Sequence, residues 1–175
     1  MRSDAGFTLI ELIVTVAVIA TMSAIAVPNF IRLIDNHKLS SAATDIWVLL
    51  QQARIYAAKE RAHVVLTFDP DNDGIIDGDY LLFVDDGTDP KTRWTREPGE
   101  RIIHRRRLPE GISFHDVSFA GGIPRTRFNS RGFPNGLGGH VYLKNIQKKF
   151  LGLHLNLNGN PRIVRSDSGE KGSWN

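Results

Sequence analysis

Gly6-Phe7-Thr8-Leu9-Ile10-Glu11-Leu12 leads into twenty residues, Leu12 to Ile31, without a charge. At 1.5 Å per residue a helix of that length spans about 30 Å, the hydrocarbon thickness of a bilayer. A cleaved secretory signal would carry a basic leader and end at small residues. Here Arg2 is opposed by Asp4, a carboxylate heads the run, and Val27-Pro28-Asn29-Phe30-Ile31 continues apolar. A core helix would keep a solvated face, whereas Leu12 to Val27 has none. The run reads as a membrane helix. Glu11 then needs a partner, because a carboxylate in a membrane helix costs roughly 2.5–3.5 kcal/mol. Cutting the Gly6–Phe7 bond would create one: the Phe7 ammonium of a neighbouring chain at the same depth.

Beyond this run the chain changes character. From Leu39 onward, Ala43, Ile46, Leu50, Ala53 and Ala57 recur in steps of four and three, an amphipathic helical stripe. No glycine interrupts residues 7–60 and Pro28 is their only proline. The spacing predicts one helix from Phe7 to Arg61, bent near Pro28, on the order of 80 Å long. Trp47 and Tyr56 beside the stripe are expected to anchor the core. After His63 come eight short β-rich stretches: 64–68, 80–84, 101–104, 112–114, 126–128, 141–143, 151–157 and 162–164, separated by Gly, Asp, Asn or Pro. One helix followed by many strands implies an α+β domain with an antiparallel sheet. Residues 166–173 are expected to fray. With 175 residues there is no room for a two-domain cofactor enzyme, and the absence of cysteine excludes disulfides, thiol nucleophiles and cysteine zinc sites.

The residues Gly6 to Leu12 resemble the prepilin peptidase motif of type IV pilins and type II secretion pseudopilins, and Pro28 falls where that family places its helix-bending proline. Phe128-Asn129-Ser130-Arg131-Gly132-Phe133-Pro134, Gly139-His140-Val141-Tyr142-Leu143 and Gly159-Asn160-Pro161-Arg162-Ile163 are similar to the C-terminal half of the GspH/FimT family of minor subunits. The resemblance implies a type IV pilin-like fold and a leader of residues 1–6. It also implies a transmembrane, filament-core segment over 7–31 and a periplasmic β-rich domain over 32–175. Prepilin peptidase would cleave between Gly6 and Phe7 and methylate the Phe7 amine. The subunit would sit in the bacterial inner membrane by one span. An assembly platform there would then pass it to a pilus or pseudopilus, where it would pack on other pilins through Glu11, Pro28 and the apolar helix.

Three constellations could carry chemistry. Asp69, Asp71, Asp73, Gly74 and Asp77 follow the opening of a calcium loop, although Tyr80 stands where the bidentate glutamate belongs. The same residues make an acidic hairpin turn whose charge arginines between 93 and 107 would answer. Residues 90–175 hold 16 Lys/Arg against 6 Asp/Glu. A basic face including Arg125, Arg127, Arg131, Arg162 and Arg165 would suit DNA phosphates, as in DNA-binding minor pilins of the FimT kind, or simply solvent and acidic neighbours. The six histidines are dispersed with no HExxH and no serine elbow, so an enzyme is not expected.

Overall fold

The computed structural model describes residues 7–69, 71, 73–87, 94–119, 122–135, 138–170 and 172–174. The leader residues 1–6, including Gly6, lie outside the described residues. The chain divides into two compact units, Met1–Ile34 and Asp35–Asn175, and one helix, α1 (Leu9–Glu60), contributes to both.

In the first unit every described residue is exposed, from Phe7 to Ile34. The helix starts on a reciprocal cap. Glu11 N–H donates to Thr8 Oγ1 at 3.3 Å, while Thr8 N–H and O–H donate to Glu11 Oε2 at 3.4 and 3.3 Å. This T-x-x-E arrangement satisfies donors that a helix start would otherwise leave open. Inside the apolar run, Thr15 donates to Leu12 C=O, Thr21 to Ala17 C=O and Asn29 to Ile25 C=O. The polar side chains therefore spend their hydrogen bonds on their own helix, as a hydrocarbon environment requires. Pro28 lies inside α1, and the helix continues through it.

In the second unit α1 buries Leu39, Ala42, Ala43, Ile46, Leu49, Leu50, Ala53 and Ala57. The stripe expected from sequence is all there, widened by Ala42 and Leu49. The helix ends without a glycine: Arg61 takes φ +53° and Ala62 N–H reaches back to Ala57 C=O at 3.3 Å. That six-to-one bond is a Schellman stop.

The strands are β1 (His63–Thr67), β2 (Asp79–Asp85), β3 (Ile102–Arg107), β4 (Ile112–Ser118), β5 (Arg125–Phe128), β6 (Gly139–Asn145), β7 (Phe150–Leu155) and β8 (Pro161–Ser166). They form two four-stranded antiparallel sheets, ordered β3-β2-β1-β5 and β4-β6-β7-β8. The antiparallel β domain expected from sequence is built here as two sheets. β4 leaves for the second sheet, and β5 returns to pair with β1 in the first. Strand propensity carries no record of such an exchange.

One core joins α1 to both sheets, through Val64, Leu66, Tyr80 and Leu82 of the first and Val141, Leu143, Leu151 and Leu153 of the second. Phe68 stands in an aromatic group with Tyr80, Phe114 and Phe119, ring centroids 5.4–6.1 Å apart. Each such side chain fully buried stabilises by about 1.5–3 kcal/mol. Polar bonds fix the helix to each sheet. Tyr80 O–H donates to Asp45 Oδ2 at 2.7 Å, and Trp47 Nε1–H to Pro161 C=O at 3.0 Å. Trp47 is thus an anchor by its nitrogen, while Tyr56 packs on the core.

The described residues of the C-terminal segment are tied to the second sheet, where composition predicts fraying. Gly169 N–H donates to Ser166 Oγ at 2.8 Å, and the Trp174 ring stacks on Tyr142 at 3.7 Å. Gly152 makes room for this: a Cβ there would lie 2.4 Å from Tyr142 Cδ1 and 3.1 Å from Trp174 Cζ3. A serine-held turn and a stacked indole offset the entropy that composition alone suggested would win.

Candidate functional site

The first unit carries the residues that the sequence points to for processing and assembly. Glu11 and Pro28 are exposed along α1, and Phe7 is exposed just before it. The Glu11 carboxylate is held at the helix start by Thr8, a capping role that the T-x-x-E spacing signals.

The second unit carries the charged groups. Asp69 is 4% exposed and faces Arg125, 5% exposed, with Oδ2 and Nη2 3.6 Å apart. Burial pushes the Arg125 guanidinium below its ordinary range and Asp69 opposes that shift. Asp85 pairs with Arg127 at 2.9 Å, and Asp79 with Arg107 at 3.2 Å and Arg105 at 3.9 Å. Arg127 also lies 5.9 Å from the Trp94 ring centre. The cause is register. Arg125 and Arg127 sit opposite Thr67 and Val65 on β1, two residues apart, and Val65 belongs to the small cluster under Trp94 on the far face of the first sheet. Arg125 and Arg127 are therefore corrected from surface cations to internal partners of aspartates. Arg131, Arg162 and Arg165 are exposed.

The aspartates between β1 and β2 are turn formers. Asp69 accepts Gly74 N–H at 3.3 Å, Asp73 accepts Ile75 N–H at 2.8 Å and Asp77 accepts Asp79 N–H at 3.2 Å. Among the described residues, the acidic atoms that gather within 4.8 Å are those of Asp85, Asp86 and Glu100, not of Asp69, Asp71, Asp73 and Asp77. In this turn Asp69 Oδ2 already faces a buried guanidinium. Melts of the full chain in several millimolar CaCl₂ and in EDTA are expected to coincide. A calcium-dependent rise in Tm that Asp71→Asn/Asp73→Asn removes would instead place the ion in the turn. The Asp85, Asp86, Glu100 group is answered by protein: Glu100 accepts Glu97 N–H at 2.7 Å and Asp86 N–H at 3.2 Å, and Arg127 holds Asp85. Burial, with Asp85 and Asp86 nearby, raises the Glu100 pKa.

The chain's likenesses to known proteins bear on what these parts serve. Residues 42–164 match the family described as Type II transport protein GspH. The chain belongs to the GspH family. Residues 1–27 match the prokaryotic N-terminal methylation motif. The type IV major pilin PilA of Myxococcus xanthus is 44% identical over 57 residues, a match covering 32% of this chain and 26% of PilA. The fold is that of the minor pseudopilin EpsH of the Vibrio cholerae type 2 secretion system (TM-score 0.52, 12% identity, 73% of this chain and 97% of EpsH). The type IV minor pilin FimU of Pseudomonas aeruginosa is equally near (TM-score 0.52, 15% identity, 77% of this chain and 92% of FimU). GspH-family chains are type IV minor pilins and pseudopilins, which are structural subunits.

On this GspH-family chain the fold also gathers histidines that the sequence left scattered. His140 and His154 are register partners across β6 and β7. His140 Nε2 lies 2.9 Å from Asp116 Oδ2, and His154 Nε2 lies 2.6 Å from Tyr142 Oη. The signal was available only with the β6–β7 register in hand. Burial, then His140 and Arg162, lower the His154 pKa; burial and Arg127 lower that of His63. Both are histidines held neutral in the fold, so the unfolded chain binds more protons as pH drops. Their stabilisation is full above the unfolded value of about 6.5 and is lost as pH falls through the folded values. Tm is expected to drop between pH 7.5 and 5. His154→Gln should flatten that slope, and His63→Gln/His154→Gln should flatten it further; an unchanged slope would rule the assignment out.

Proposed function

We propose that this chain is a minor pilin or pseudopilin subunit, inserted in the bacterial inner membrane by residues 7–31 with residues 32–175 periplasmic. Prepilin peptidase cuts between Gly6 and Phe7 and methylates the Phe7 amine. An inner-membrane assembly platform then moves the subunit into a type IV pilus or type II secretion pseudopilus, which it initiates or caps with other pilins. The observation that carries this reading is the first unit of α1: exposed on every side, with Thr15, Thr21 and Asn29 bonded to their own helix. Such a surface needs lipid before assembly and neighbouring helices after it.

The test is processing. Mass spectrometry of the mature chain is expected to find methylated Phe7 at the N-terminus, and Gly6→Val to leave the precursor uncut. An intact Met1, or a terminus near Ala24, would sink the reading. A second reading, DNA capture at the filament tip, rests on the exposed Arg131, Arg162 and Arg165. It requires duplex DNA retention that falls with salt at a slope of about −0.9 per phosphate contacted.

A further inference from the structure

β8 is the last strand of the second sheet, so one of its edges pairs with no other strand. The turn before it fixes which backbone groups lie on that edge. Asn156 N–H donates to Asn160 C=O at 3.5 Å, closing the β7–β8 turn with a bonded pair. Bonded and non-bonded pairs alternate along an antiparallel ladder. The non-bonded pairs are therefore Leu155–Pro161, Leu153–Ile163 and Leu151–Arg165. Trp47 agrees on this phase: its Nε1–H takes Pro161 C=O at 3.0 Å, an acceptor that a bonded pair would give to β7. The N–H and C=O groups of Ile163 and Arg165 thus point away from β7. Among the described residues nothing meets them on that side.

This open edge borders a groove of about 620 Å³ between α1 and β8. Leu39 stands on its helix side, with Leu151 and Ile163 on its sheet side, and Ile163 is 41% exposed. Lys148, Lys149 and Arg165 rim the groove against one carboxylate, Asp167. Among the described residues none of the three cations has an ion-pair partner. A free strand edge invites any extended chain, and charge or proline is its usual protection. On β8 that protection is selective. Pro161 blunts the start of the strand, and the cations repel a basic segment while attracting an acidic one. All of these groups belong to the second unit.

We propose that an extended acidic segment of a different filament subunit adds to β8 as a further strand of the second sheet. Its backbone bonds the free N–H and C=O groups of Ile163 and Arg165. Successive side chains of the added strand point to opposite faces. An apolar one on the α1 side meets Leu39, Leu151 and Ile163, and carboxylates reach Lys148, Lys149 and Arg165. The backbone bonds give affinity, and the apolar floor and the cations give selectivity. The inference rests on the filament-subunit reading above.

The probe is a short peptide of alternating valine and glutamate, added at millimolar concentration to the detergent-solubilised full-length chain. Amide hydrogen exchange at Ile163 and Arg165 is expected to slow at least tenfold. A valine–lysine peptide of the same length should leave both amides unprotected. Lys148→Glu/Lys149→Glu should remove protection by the acidic peptide. Ile163→Pro deletes one outward N–H and spares the β7 ladder, as proline does at a sheet edge. It should weaken peptide binding at least tenfold while the Arg162 and Val164 amides stay protected. If proline instead loosens β8, the charge variant still decides. Equal slowing by acidic and basic peptides, slowing by neither, or no effect of Lys148→Glu/Lys149→Glu overturns the proposal. So does protection of the same amides by duplex DNA and not by the peptide, which would assign the groove to nucleic acid. The mature N-terminus of the same preparation separates the two readings. A methylated Phe7 on a chain that no peptide protects removes the docking strand alone. An uncut chain that the acidic peptide still protects removes the subunit reading alone.

Discussion

Replacing Arg125 by methionine is expected to destabilise the full-length chain by about 3–5 kcal/mol, because it strands a buried carboxylate. Asp69 is 4% exposed, so its charge cannot turn to water, and its Oδ1 already has no hydrogen-bond partner among the described residues. Detergent-solubilised protein should melt roughly 6–20 °C lower, at about 2–4 °C per kcal/mol for a chain of this size. Asp69→Asn/Arg125→Met should recover most of the loss, since removing both charges removes the unpaired one. The double variant separates charge from packing: a cavity would persist in it, a stranded charge would not. If Arg125→Met melts with the wild type, the pair is not structural. Arg125 would then return to the candidates for an external anion.

Removing the carboxylate of Glu11 is expected to abolish incorporation into filaments while leaving membrane insertion intact. Two variants distinguish the causes. Glu11→Leu removes both the charge and the cap on Thr8, whereas Glu11→Gln keeps an amide oxygen able to accept Thr8 N–H and removes only the charge. If Glu11 pairs with the Phe7 ammonium of a neighbour, both variants should be excluded from sheared filaments at least tenfold. Opposite unit charges 4 Å apart attract by about 4 kcal/mol at an effective dielectric of 20, and a neutral amide forfeits that. Both should insert at least as well as wild type, because an intramembrane carboxylate costs about 2.5–3.5 kcal/mol. If Glu11→Gln assembles normally and Glu11→Leu does not, the cap is the role of Glu11 and no ammonium partner is needed.

What the sequence determined by itself is everything written in local periodicity. The uncharged run from Leu12 to Ile31 can satisfy its backbone only as a helix in lipid. The steps of three and four from Leu39 to Ala57 select one helical face. Each of the eight strands was legible because β-branched and aromatic residues alternate between turn residues. Those signals act between residues a few positions apart. The assignment of strands to two sheets was not legible, since the return of β5 to β1 spans more than fifty residues and no short window records it. That one pairing decided the candidate sites. It carried Arg125 and Arg127 from a presumed outer face to Asp69 and Asp85. Likewise, β6–β7 register brought His140 to His154, and the stacking of Trp174 on Tyr142 held a segment whose composition reads as frayed. Charge counts give the number of cations but not their partners; in this chain pairing across strands decides which arginines are internal and which stay exposed.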